Sequence, residues 1–176
     1  LIAVATRADA WIAGEDASPP APMGRSLKRW RAHQRAERGR TETERLARFN
    51  QALAFERAGE AEAAERAYVR FGARFPGDLL VPETRLRAAN LALQRGDSTA
   101  ALAGFRAVVA DSTAAATLRC ESAYRAGQCE EARQALDAAA ATYLRVLPLQ
   151  PAADPFRIAA LAAAAPLVEG RSPERA

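Results

Sequence analysis

AFERAGEAEAAERAYVRFGARFP, residues 54–76, decides the fold. Counted from Gly59, it places Ala64 five residues on, Tyr68 nine and Pro76 seventeen. ALQRGDSTAALAGFRAVV (92–109) repeats the five and nine with Gly96, Ala101 and Phe105. AYRAGQCEEARQALDAAA (123–140) offers them again with Gly127, Ala132 and Leu136. A glycine supplies the tight turn between two antiparallel helices. An alanine lets them cross closely, and a bulky residue four positions later lies on the same face beside the crossing. The spacing predicts an all-α chain built from three helical hairpins.

A helix–turn–helix unit of this phasing resembles the tetratricopeptide repeat. The first stretch includes the terminal Pro76; the second has Thr113 at that place, and the third has Leu144, with Pro148 four residues late. The resemblance covers roughly Arg45 to Pro148. It implies antiparallel hairpins stacked as a short right-handed superhelix, an α-α solenoid, and a protein-binding role. The glycines are 37 and then 31 residues apart, the surplus falling in PGDLLVPET after the first unit. A loop of that form is similar to those of bacterial cell-envelope members of the family, the outer-membrane assembly lipoproteins and the Tol–Pal-associated protein.

Composition agrees with helix. About a quarter of the 176 residues are alanine, and no alternating strand-like run appears. No apolar run reaches the ~18 residues of a membrane span. The chain begins LIAVA without a methionine, which suits a removed targeting segment or a late start.

Four segments are expected: residues 1–24, an arm with a proline-rich linker; 25–40, a basic helix ending near Gly39; 41–148, the three hairpins; and 149–176, a capping helix and tail. Thr41 with Glu44 reads as a capping box for the first hairpin. Pro82 suits a helix first turn, and Asp97 or Ser98 caps the next helix. Ser112 or Thr113 caps the helix leading to Gly127, and the helix after that glycine runs to about Arg145. Asp154 caps the last helix, with Pro155 first and a stop near Pro166; it reads as the first helix of a shortened fourth unit or as a cap.

The charge sits in one place. Residues 25–40 hold seven Arg or Lys and one acid, Glu37, so they carry +6 of a net +4 and leave −2 for the rest. Arg25, Lys28, Arg29, Trp30, Arg31 and Arg35 form a basic arm that reads as a solvated helix with Trp30 packed into the array, or as a contact for anionic lipid head groups or an acidic protein. A nucleic-acid contact fits less well, because no basic stripe continues along the repeats.

In the family the first helix of each hairpin lines the inner face. By phase that face takes Phe49, Leu53 and Glu56 in the first unit, with Leu46 beside them. It takes Leu86, Asn90 and Leu93 in the second, and Thr117, Glu121, Tyr124 and Arg125 in the third. Such a face suits the chain's own N-terminal segment as cover or, as the sharper expectation, a partner helix or strand. The lysine–asparagine grip that some members place on a C-terminal carboxylate is absent: the matching positions hold Phe49, Leu53, Ala114 and Leu118.

Chemistry-bearing residues are few. His33 is the only histidine and stands among arginines, so a metal site is not expected. Cys120 and Cys129 are the only cysteines; phased across a Gly127 turn they read as buried thiols or as a disulfide locking the third hairpin. No phosphate loop or nucleophile elbow is present, so neither an enzyme nor a cofactor is expected. The expected role is a non-enzymatic scaffold for other proteins in a membrane-associated, periplasmic envelope complex. The alternatives are an accessory subunit of one membrane machine (secretory, respiratory or photosynthetic) bound through its N-terminal arm, or a cytoplasmic adaptor with a nucleic-acid-binding arm.

Overall fold

The computed structural model describes residues 24–169, the side chains of 24–30, 34, 37, 38 and 40 excepted. Of the expected arm over 1–24, residues 1–23 lie outside the described residues and Gly24 begins a helix; residues 170–176 of the expected tail lie outside them too. The described residues form seven helices and no strand: α1 (Gly24–Arg57), α2 (Ala61–Arg74), α3 (Val81–Gln94), α4 (Ser98–Ala110), α5 (Ala116–Ala132), α6 (Leu136–Leu144) and α7 (Pro155–Glu169). The chain divides into two units at Leu46/Ala47.

In the first unit the basic segment does not end at Gly39. Helix α1 runs through Gly39 and Thr41, so Thr41 is interior to a helix rather than its cap. The Thr43 hydroxyl donates back to the Gly39 carbonyl at 2.9 Å, and Arg45 pairs with Glu42 three residues before it at 2.5 Å. A lone glycine weakens a helix by about 1 kcal/mol and does not by itself stop one.

The second unit is an all-α, solenoid-like stack in which each helix packs on the next. Its three apolar clusters follow from the spacing of small and bulky residues. Ala64, Ala67, Tyr68 and Phe71 recur at three and four residues along α2 and are all buried. Ala52, Ala64 and Tyr68 join Leu91 of α3 in one cluster. Leu86, Ala101 and Phe105 join Cys129 of α5 in the next. Cys120, Ala139 and Tyr143 join Ala160 of α7 in the third. Each cluster thus unites one hairpin with the first helix of the following one, the nearest-neighbour arrangement of a repeat array.

The turns fix the register. Gly59 (φ 77°) and Gly96 (φ 83°) adopt the left-handed conformation that glycine tolerates best. The third turn is not at Gly127. That glycine lies inside α5, which runs to Ala132, and the chain turns at Gln134 (φ 60°). The third hairpin is therefore seven residues later than the glycine pattern indicates. Counted from Gln134, Ala139 stands at five, Tyr143 at nine and Pro151 at seventeen, as Ala64, Tyr68 and Pro76 stand from Gly59. The turns are spaced 37 and 38 residues apart, so the array is nearly regular.

Gly127 has a different duty. A Cβ there would overlap the ring of Tyr143, so its bare backbone admits that ring between α5 and α6. The residues seven before the other turns, Ala52 and Ala89, are also small and buried.

The caps divide. Asp97 accepts the Ala100 N–H at 2.9 Å, Asp154 accepts those of Phe156 and Arg157, and Pro82 enters the first turn of α3, as expected. Neither Ser112 nor Thr113 caps α5, which starts at Ala116 without a side-chain cap. Asp111 instead accepts both the N–H and the hydroxyl of Thr113, which holds its carboxyl below the usual carboxylate range. Helix α7 passes Pro166 and ends at Glu169; a proline removes one N–H near a helix end without ending it.

Candidate partner-binding face

The corrected register redraws the first-helix face. Ten residues before the turn stand Phe49, Leu86 and Tyr124; six before it, Leu53, Asn90 and Gln128; three before it, Glu56, Leu93 and Glu131. Gln128 and Glu131 were absent from the sequence-based set, and Thr117 does not belong to these positions.

Phe49 and Leu53 are half-buried in the first cluster, and the ring of Phe49 meets Tyr68 and Phe71 edge-on at 6.4 and 5.8 Å. Leu86 is not a surface residue: it is 4% exposed and belongs to the second core cluster, against which half-buried Leu93 packs. Asn90 is half-buried, and its Oδ1 is enclosed without a hydrogen-bond partner among the described residues. Tyr124 stacks at a tilt between Tyr143 (6.2 Å) and Phe156 (6.0 Å).

Polar side chains stitch the hairpins in a repeated pattern. The Tyr68 hydroxyl donates to Glu56, and the Tyr143 hydroxyl donates to Glu131 at 2.6 Å; in both pairs the acid precedes the tyrosine by twelve residues. The middle hairpin has the apolar pair Leu93 and Phe105 at the same places. Burial and then the carboxylate bond push both phenols above their ordinary pKa, so both remain donors.

A second repeated pair stands thirteen and nine residues before the turn. Arg87 binds Glu83 at 2.9 Å, and Arg125 binds Glu121 at 3.0 Å. Arg87 also reaches Glu56 of the preceding hairpin at 3.1 Å. Burial works against the Arg87 charge, but the Glu83 bond and the Glu56 charge outweigh it and hold its pKa up. These pairs are partly exposed, so each stabilises by only ~0.2–1 kcal/mol; their main effect is to fix orientation. Arg125 also lies over the Phe156 ring at 5.9 Å.

The array has a formed cleft that the residue pattern did not indicate. It measures about 450 Å³ and runs between α2 and α4, over Gly72, Ala88, Ala89 and Gly104. Glu65 bridges to Arg95 at 2.6 Å at its edge.

Cys120 and Cys129 both lie in α5, not on two helices of a hairpin. Nine residues of one helix separate their backbones by ~13.5 Å, well beyond the ~7 Å reach of a disulfide. Both are buried free thiols, and burial raises both pKa values, which removes thiolate character. Of the two readings, buried thiols are what the structure has, and the alternative of a disulfide is excluded by the position of the turn.

Of the basic arm, Arg31 and Arg35 are exposed on α1, as is His33. The side chains of Arg25, Lys28, Arg29 and Trp30 lie outside the described residues. Among the described residues no three His, Cys, Asp or Glu side chains gather as metal ligands, and no helix is long and apolar enough to cross a membrane. A scan against protein-family models and a search of curated proteins find no match to this chain, so its repeat rests on internal equivalence alone.

Proposed function

We propose that this chain is a tetratricopeptide-type scaffold that holds other proteins, acting without catalysis in a membrane-associated complex of a bacterial cell envelope. One observation supports it above the others: three hairpins repeat the same small-residue crossings in register, and their first helices align a row of half-buried side chains. That row runs from Phe49 and Leu53 through Asn90 and Leu93 to Tyr124. Half-buried apolar groups flanked by oriented Glu and Arg pairs suit an amphipathic helix or strand of a partner. A carboxylate grip of the family's known kind does not fit. In the corrected register its third-unit positions become Glu121 and Arg125, and that arginine is already paired.

The test is co-fractionation from the producing bacterium. The intact chain is expected to sediment with a membrane complex and Leu53→Glu to be released from it. A free cytosolic monomer would contradict the proposal.

The +6 of residues 25–40, with Arg31 and Arg35 exposed, favours a second reading, an accessory subunit held by its arm. Deleting residues 1–40 separates the two. Loss of association with unchanged thermal unfolding points to the arm; retained association points to the repeat face.

A further inference from the structure

The first hairpin gathers three arginines at places that the other hairpins fill differently. Eleven residues before the turn stand Arg48, Arg85 and Ala123, and fifteen after it stand Arg74, Asp111 and Leu149. In the second hairpin these two places meet as an ion pair, Arg85 Nη1 to Asp111 Oδ2 at 3.1 Å. In the first hairpin the same two places hold two cations, Arg48 and Arg74. A third, Arg70, stands eleven after the turn, where the second hairpin has Ala107 and the third has Arg145. Like charges side by side repel, and an anion between them removes that repulsion.

A small pocket opens among them between α1 and α2. It measures about 130 Å³ and is lined by Arg48, Gln51, Phe55, Ala67, Arg70 and Phe71. Phe71 is buried and Phe55 half-buried, whereas Arg48, Gln51 and Arg70 are exposed, so the floor is apolar and the mouth is polar. Arg74 lies over the Phe75 ring at 5.6 Å, and that ring packs on Phe71 at 5.2 Å, which keeps its guanidinium at the same end of α2. Arg70 donates its Nε to the Arg66 carbonyl at 3.2 Å, and no carboxylate pairs with it among the described residues. Arg66, one turn earlier, is offset by Glu62 at 2.7 Å. Arg48 and Arg74 hold further contacts within the chain as well. A guanidinium has five N–H donors and serves more than one acceptor.

We propose that this pocket is a binding site for a phosphate group, either free or carried by an anionic lipid head group. Guanidinium forks match phosphate oxygens in geometry and charge, and the Gln51 amide adds an N–H donor. A phosphate presents three acceptor oxygens, enough for three cations at once, whereas a carboxylate presents two. The volume lies below the ~300–1,000 Å³ of sites that enclose a whole small molecule, so the pocket takes one group and leaves its carrier outside. The site uses none of the residues of the first-helix row and stands whatever that row binds.

The probe is inorganic phosphate, titrated into the full chain by calorimetry at an ionic strength held constant with chloride. Saturable binding is expected, weakened at least about tenfold by Arg70→Gln and, independently, by Arg48→Gln. Arg66→Gln, whose charge Glu62 already offsets, should leave it unchanged. All three arginines are exposed, so the variants keep the unfolding midpoint. Co-sedimentation with phosphatidylcholine vesicles containing phosphatidic acid then names the carrier. Weaker sedimentation of the Arg70→Gln chain than of the intact one assigns the phosphate to a lipid head group, and equal sedimentation assigns it to a soluble compound. Absence of phosphate binding, equal affinity of the Arg70→Gln and Arg48→Gln chains, or acetate competing as well as phosphate overturns the proposal.

Discussion

The ring of Tyr143 occupies the space in which a side chain on Gly127 would stand. That relationship assigns Gly127 to a helix crossing and moves the third turn to Gln134. Gly127→Ala should gain up to ~1 kcal/mol of helix propensity but displace a fully buried ring and its bond to Glu131. A net destabilisation of about 2 kcal/mol is expected in urea unfolding. An unchanged or raised midpoint would mean that the ring is not held there.

Gln134 bears a left-handed backbone that costs a non-glycine residue about 1 kcal/mol or more. Gln134→Gly should therefore stabilise the protein by roughly 0.5–1 kcal/mol, net of glycine's larger unfolded-state entropy. Urea midpoints measure it directly. A loss of stability would place the third turn elsewhere.

The two tyrosine–glutamate pairs carry a pH signature. Burial, then the carboxylate, raises both phenol pKa values in the folded chain. Their contribution is complete below the unfolded phenol's pKa of about 10, since both states are then protonated. As pH rises past that value the unfolded chain releases protons that the folded chain keeps, so stability falls. A double variant with Tyr68→Phe and Tyr143→Phe should be less stable at pH 7 and lose less between pH 9 and 11. Parallel losses in the two proteins would show that the phenols are not buried donors.

The thiols give a count. Unreduced protein unfolded in denaturant should yield both Cys120 and Cys129 to a thiol reagent, and native protein should react slowly, limited by opening. A count of zero in unreduced, denatured protein would require a fold in which α5 is broken.

The residue pattern revealed the fold class and the first two hairpins because their turns are glycines with positive φ. The third turn was hidden for a physical reason: Gln134 has no side-chain type that announces a left-handed backbone. Gly127 meanwhile stood five before Ala132 and nine before Leu136, and so imitated a turn. Other marks did carry the true register. Glu131 precedes Tyr143 by twelve residues, as Glu56 precedes Tyr68, and Pro151 follows Gln134 by seventeen, as Pro76 follows Gly59. The seven-residue slip preserved the helical face, since seven residues are close to two turns. Glu121, Tyr124 and Arg125 therefore still fell on the first helix, while Gln128, Glu131 and the cysteine geometry did not come through. The apparent cap at Thr41 misled because local capping words do not outweigh helix-forming neighbours on both sides.

We propose above all that the first-helix row contacts a partner protein. A photo-crosslinking residue placed in turn at Leu53, Gln128 and the exposed Ala103 of α4 tests it in producing cells. Discrete adducts of one size from Leu53 and Gln128, and none from Ala103, are the expected result. Equal labelling from all three positions, or none from any, would contradict the claim.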